Sequence, residues 1–246
     1  DGYSFHTFRD EPDGVSVLST NRILNIQPTA ANNVWCITQD HKLYLYDTHL
    51  CQFLKTSNQI NEKFKVDFRA DNIYDINGGN TWVTSANADY LLRTKDTDVL
   101  DFELIHVGQK GLKSGKVYFI YGDKKHREWI LTDKGTTIYG KKFSTNVPYK
   151  WIREVGEYVF LATENGKVIV VDEKNRATNV PLPEGITHIN ELKNTGYQLL
   201  LATNLGVVIY NPRTFKSEII NIQSPSQPLA EVKKLYVDDY GTVWTF

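Results

Sequence analysis

The sequence predicts an all-β fold, a β-propeller of four-stranded antiparallel blades, and three observations predict it. A large residue that opens a second-strand run recurs at Trp35, Trp82, Trp129, Phe160, Leu200 and Trp244, in steps of 47, 47, 31, 40 and 44. An apolar pair spaced by three precedes each of these: Ile23/Ile26, Ile73/Ile76, Val117/Ile120, Ile152/Val155, Ile186/Ile189 and Val232/Leu235. The runs are rich in Val, Ile, Tyr, Trp and Thr and are punctuated by Gly, Asn, Asp or Pro, which favours strands over helices. Sheets of four strands at about 40–50-residue spacing are the repeat of a propeller, in which each blade buries its faces against its neighbours.

The clearest copies are Leu161-Ala162-Thr163-Glu164-Asn165-Gly166 and Leu201-Ala202-Thr203-Asn204-Leu205-Gly206, each followed by a β-branched run. They define the second strand, a turn and the third strand. Three of these turns carry Gly135, Gly166 and Gly206, because glycine reaches positive φ without steric cost. The corresponding positions near His41 and Ala88 lack glycine and are expected to use other turn types. The three-residue spacing in the first strand breaks the period of two that a flat strand requires, and a bulge is one account of it. Short fourth strands are expected at Phe53–Lys55, Phe102–Ile105 and Ser217–Ile222. In Asp238-Asp239-Tyr240-Gly241-Thr242-Val243-Trp244, Asp and Gly shape a reversal and Trp244 is expected to fill an inter-blade core. Trp35, Trp82 and Trp129 are expected to be core by the same recurrence.

The repeat divides the chain into a residual outer strand over 1–14 and five blades over 15–63, 64–110, 111–147, 148–184 and 185–227. The first two strands of a further blade occupy 228–246. The expectation is therefore a partial array of about five full blades, with Asp1–Phe8 as an outermost strand and the other blades outside these residues. Alternatively, the terminal strands share one blade and give a nearly closed six-bladed ring.

Composition narrows the function classes. With 246 residues, 41% hydrophobic and 23% charged, the chain can bury a sizeable core. A formal charge of -1 gives no general attraction for nucleic acid or anionic membrane. No apolar run is long enough to span a bilayer as a helix. The two cysteines, Cys36 and Cys51, exclude a disulfide scaffold; they are expected on a second and a fourth strand, too far apart to bridge. His6, His41, His49, His106, His126 and His188 are scattered without ligand spacing, so no metal site and no cofactor is expected. No nucleophile elbow, zinc-protease helix, Walker A or dinucleotide fingerprint occurs, and no catalytic residue is assigned.

Leu18-Ser19-Thr20-Asn21-Arg22-Ile23-Leu24-Asn25-Ile26, Asp238 through Trp244, and Asn165-Gly166 through Asp172 resemble the first, middle and last parts of the regulator-propeller repeat. That family's repeats form the periplasmic sensor of hybrid two-component histidine kinases, many of which respond to oligosaccharides. The resemblance implies a periplasmic ligand-sensing domain of a membrane-anchored parent. Its implied partners are an oligosaccharide or other small molecule, further blades and signalling domains, and a homodimer mate.

Ligand residues are expected on the loops that enter the first strands, which open on the same side as the turns between second and third strands. Those loops carry Arg22, Arg69, Lys113, Lys116, Tyr149, Lys150 and Trp151, and aromatic faces beside fork-like donors suit sugar rings. The readings that compete with a sensor are a propeller scaffold for protein contacts and a propeller enzyme acting on polysaccharide.

Overall fold

The computed structural model describes residues 18–29, 32–76, 80–95, 98–220 and 231–246. The expected strand at Asp1–Phe8 lies outside them. Among the described residues the chain forms 22 strands and one short helix. The first sheet holds β1 (Ile23–Pro28), β2 (Val34–Thr38), β3 (Leu43–Asp47) and β4 (Gln52–Leu54), followed by α1 (Thr56–Phe64). The second holds β5 (Ala70–Ile76), β6 (Asn80–Ser85), β7 (Tyr90–Lys95) and β8 (Asp98–His106). β9 (Val117–Gly122), β10 (Glu128–Thr132), β11 (Gly135–Ile138) and β12 (Ser144–Thr145) make the third. The fourth comprises β13 (Trp151–Val155), β14 (Tyr158–Ala162), β15 (Val168–Val171) and β16 (Ala177–Asn179). The fifth comprises β17 (Ile189–Asn194), β18 (Leu199–Thr203), β19 (Gly206–Asn211) and β20 (Lys216–Ile220). A two-stranded sheet, β21 (Leu235–Val237) and β22 (Val243–Thr245), completes the set.

In every four-stranded sheet, strand order follows chain order, so each is an antiparallel meander, the blade of a propeller. The chain divides into two compact units, Asp1–Ile130 and Leu131–Phe246, with the division inside β10.

In the first unit, Trp35 and Ile37 of β2 share a face with Leu45 and Leu43 of β3, their cross-strand partners. That face packs with Phe68, Ala70, Ile73, Val83, Leu92 and Phe102, and Ile60 of α1 joins the same cluster. Trp35, Trp82 and Trp129 are all fully buried, as their recurrence predicts. The opposite face of the first sheet, with Cys36 and Tyr44, packs on Leu18 and Phe53. Ile26 lies opposite Cys36 and therefore on this second face, where it stays exposed.

Helix α1 is absent from the strand pattern because only Ile60 and Phe64 are apolar in a nine-residue polar segment. It has no side-chain N-cap, and bonds to its surroundings hold it in place. The Leu43 amide donates to Ser57 Oγ at 2.7 Å, and the Phe68 amide to Asn61 Oδ1 at 2.9 Å.

In the first sheet the pairing shifts register between Ile23 and Asn25, inside the Ile23/Ile26 pair, which is the bulge that the spacing suggests. The shifts in the second and fifth sheets, between Ala70 and Ile73 and between Ile189 and Glu191, fall outside the pairs Ile73/Ile76 and Ile186/Ile189 and leave their spacing unexplained. β13 pairs with β14 without a shift.

The turns between second and third strands correct one expectation. His41 and Ala88 adopt φ of 64° and 60°, close to the 80° of Gly166, so these three positions share the left-handed conformation despite their different side chains. In each, a residue three places earlier accepts the amide or closes the loop: Thr38 carbonyl from His41, Ser85 carbonyl from Ala88, and Thr163 Oγ1 from Lys167. Gly135 and Gly206 instead take φ of 149° and 108°. His41 offsets its backbone cost with contacts to the next sheet: its carbonyl accepts from the Ala70 amide, and its Nδ1 lies 2.8 Å from the Ala70 carbonyl.

In the second unit, the facing sides of the fourth and fifth sheets bury Val155, Phe160, Ala162, Val168, Leu192, Leu199, Leu201 and Tyr210. Leu200, Ala202 and Val207 pack on Val232 and Leu235 of the last sheet. Trp244 is a correction, since it is 53% exposed and fills no core. Its strand pairs only with β21 among the described residues, and its indole N–H donates to Asp238 Oδ2 at 3.1 Å. Cys51 also differs from expectation: it occupies the turn before β4 with φ of 52°, and both cysteines are free. Burial raises the Cys36 thiol to about 11.

Glu231 ties the last sheet to the fifth. It receives Lys233 Nζ at 2.5 Å, lies 2.7 Å from His188 Nε2, and accepts from Asn190 Nδ2 at 3.0 Å. The bonds from Lys233, His188 and Asn190 hold its carboxyl at about 2, against an ordinary 4.5. A carboxylate with a depressed pKa stabilises the fold above its unfolded value, and that contribution is lost as pH falls through 4.5 towards about 2. Titration of the Glu231 carboxyl by NMR is expected to give a midpoint well below 4; a midpoint at its ordinary value would remove the clamp.

Candidate functional site

The expected ligand residues begin the first strands or the loops before them. The Arg22 and Arg69 carbonyls accept from the Gln39 and Ala86 amides at 2.8 and 2.7 Å, which sets both beside the turn between second and third strands of their own sheets. Both side chains are exposed, and Arg22 Nη1 donates to Gln39 Oε1 at 3.2 Å. Lys113 is half-buried and Lys116 exposed, ahead of β9. These four lie in the first unit.

Tyr149, Lys150 and Trp151 lie in the second. Tyr149 is buried, 2% exposed, so it is a packing residue and not a surface group, and burial raises its hydroxyl pKa. Lys150 ion-pairs with Glu164 in the turn after β14 and sits 5.2 Å from the centre of the Trp151 ring. Trp151 packs on the core between the fourth and fifth sheets. The structure thus brings Lys150 and Trp151 together and withdraws Tyr149.

A cleft absent from the sequence reading opens at the other ends of the same strands. Trp151 pairs with Ala162, whereas Tyr158 pairs with Val155, so Tyr158 marks the end of the fourth sheet away from Trp151. The cleft encloses about 330 Å³ between Tyr158, Val170 and Pro181 on one side and Tyr210 and Phe215 on the other. Asp172, Arg176, Thr178 and Asn179 complete its lip.

Asp172 closes the turn after β15. Its Oδ1 accepts the amides of Lys174 and Arg176, each at 2.9 Å, and its Oδ2 accepts Arg176 Nε and Nη2, each at 2.7 Å. The Arg176 amide, then its guanidinium and the Lys174 amide, keep the Asp172 carboxyl below the usual carboxylate range against the opposing effect of burial. The turn after β19 begins at Asn211, and Phe215 stands four places after it as Arg176 stands four places after Asp172. An alignment of these turns would have paired the two residues; a search confined to entering loops passes over them.

The Tyr210 ring is buried against Phe160 in an edge-on contact at 5.7 Å. Burial, then the nearby Tyr158, raises its hydroxyl pKa. Among the described residues no three metal-ligating side chains cluster, and no helix is long and apolar enough to cross a membrane.

Comparison with known proteins bears on the fold. No protein-family model matches the chain, and no curated protein sequence matches it. Among solved structures, the extracellular domain of a hybrid two-component system from B. thetaiotaomicron is similar, with a TM-score of 0.56 at 15% identity over 91% of this chain. The chain spans only 32% of that domain. A catalytically inactive virginiamycin B lyase from Staphylococcus aureus with quinupristin gives 0.54 at 10% identity, over 92% of this chain and 84% of the lyase. A streptogramin B lyase gives 0.53 at 12% identity, over 93% and 84%. At such identities the likeness is one of fold: the chain is built of propeller blades, and its neighbours include both extracellular two-component domains and lyases.

Proposed function

We propose that this chain is an extracytoplasmic, non-catalytic sensor propeller of the regulator-propeller family, part of a hybrid two-component histidine kinase, and that it responds to an oligosaccharide. The observation that carries the reading is the fold likeness to a two-component extracellular domain across nine-tenths of this chain, joined to the Leu18–Ile26 repeat signature. The parent is periplasmic on this side and membrane-anchored, and the kinase lies outside these residues. Ligand binding would favour one arrangement of the sensor over another, and only a difference in affinity between the two can shift their populations.

The candidate donors in the first unit are Arg22, Arg69, Lys113 and Lys116, and in the second Lys150 beside the Trp151 ring. Each unit is tested separately. Calorimetry of the intact ectodomain against a panel of oligosaccharides is expected to find one that binds without turnover. Arg22→Ala with Arg69→Ala, or Lys150→Ala, should then weaken binding about tenfold, the usual effect of losing a charged hydrogen-bond donor. Stable self-association with no ligand heat would replace the sensor with a scaffold. Turnover of any sugar would replace it with an enzyme, the reading that the lyase neighbours favour.

A further inference from the structure

The cleft between the fourth and fifth sheets is independent of the loops assigned above, since it lies at the opposite ends of β13 and β14. Its walls are mostly carbon: Val170, Pro181, the ring faces of Tyr158 and Tyr210, and Phe215 at the lip. Tyr210 is 2% exposed yet lines the cleft, and its hydroxyl makes no hydrogen bond to any described residue. A hydroxyl that is open to an apolar cleft and has no protein partner there can both donate and accept, so this one marks a place where a ligand oxygen would be received.

Charge narrows the ligand. The Arg176 guanidinium is engaged by Asp172 through Nε and Nη2, so the lip presents a neutral pair and an anionic ligand would meet both signs. Size narrows it further: about 330 Å³ is at the small end of ligand sites, which run from about 300 to 1,000 Å³. A sugar ring would bring several hydroxyls into a cleft whose polar groups, beyond the tyrosines and the ion pair, are Thr178 and Asn179. A flat apolar ring with a single hydroxyl would leave none of its own polar groups unpaired.

Phe215 adds a second indication. It holds φ of 57°, a conformation that costs an aromatic residue energy, and it leaves its ring 62% exposed. In the turn after β15 the left-handed residue is Asn175, with φ of 61°, and asparagine is the side chain that tolerates this conformation well. The aromatic ring is therefore held at the lip against the preference of its own backbone.

We propose that this cleft binds a small, uncharged aromatic compound carrying a hydroxyl, of the phenol class, with the ring between Phe215 and Pro181 and the hydroxyl on Tyr210. The site goes beyond the sensor reading and does not depend on it.

The test titrates the intact protein with p-cresol and, separately, with methyl glucoside, followed by NMR and calorimetry. Saturable p-cresol binding is expected, with resonance changes confined to the cleft. Tyr210→Phe should weaken it about fivefold, the effect of one lost hydrogen bond. Phe215→Asn should also weaken it while melting no lower than the parent, which separates lost binding from lost folding. Binding of methyl glucoside in the cleft with p-cresol silent would overturn the ligand class. Silence of both probes, or p-cresol binding indifferent to the two substitutions, would overturn the site. Arg22→Ala and Arg69→Ala should leave p-cresol binding unchanged, so failure here and failure of the oligosaccharide reading give different results.

Discussion

Asp123→Ala is expected to destabilise the first unit by about 3–5 kcal/mol, the cost of removing one partner from a buried ion pair. Asp123 is fully buried and Arg127 only 6% exposed, and Arg127 Nε donates to Asp123 Oδ2 at 2.5 Å. The same oxygen accepts the Trp129 indole N–H at 2.8 Å, while Oδ1 accepts the amides of Lys125 and Arg127. One carboxylate therefore closes the β9–β10 turn, compensates a guanidinium and satisfies a core tryptophan. Arg127 is also 5.2 Å from the Trp129 ring centre, so its displacement would disturb the blade core directly. Asp172→Ala breaks a turn of the same design, but there Arg176 is 73% exposed and water takes over most of the lost interaction. Thermal melts of the two variants are the measurement. A loss for Asp123→Ala no larger than that for Asp172→Ala would show that burial of the pair does not matter.

These two aspartates also show how far the sequence is informative. Each stands at the first position of a turn with a positive-φ residue three places on, His126 and Asn175, and the recurrence of such turns makes the blade repeat readable. Which of the two is buried depends on what packs over it, and spacing does not carry that information. Trp244 demonstrates the same limit, because it aligns with Trp35, Trp82 and Trp129 yet lies exposed beside Asp238. Helix α1 was invisible because its stability comes from Ser57 and Asn61 bonding to neighbouring backbone, with only one fully buried apolar side chain.

The candidate site was less legible than the fold. Tyr149 has the residue type of a sugar platform, but its neighbours cover it. Tyr210 reads as an ordinary strand residue, and only the adjoining sheet makes its hydroxyl the floor of a cleft. Sequence periodicity reports which residues repeat, and so it identifies blades; a site depends on where neighbouring blades differ, as Phe215 differs from Arg176.

Trp35→Ala is expected to cost about 3–5 kcal/mol, as for other buried aromatic truncations. Trp35 is fully buried in the core between the first and second sheets, with its ring 6.5 Å from that of Phe102, and no backbone shift can fill the space of an indole. The phenylalanine variants give the sharper test. Trp35 Nε1 is buried without a hydrogen-bond partner among the described residues, whereas Trp129 Nε1 donates to the Asp123 carboxylate. Trp35→Phe therefore removes a polar group that already carries a desolvation cost, and part of the lost packing is offset. Trp129→Phe loses comparable packing and also takes a charge-assisted bond from Asp123, so it should be the more damaging by about 1–3 kcal/mol. Denaturant midpoints for the two variants decide it. Equal losses would mean that the Trp35 indole N–H is satisfied in the folded protein, and that two tryptophans equivalent in the repeat are equivalent in energy as well.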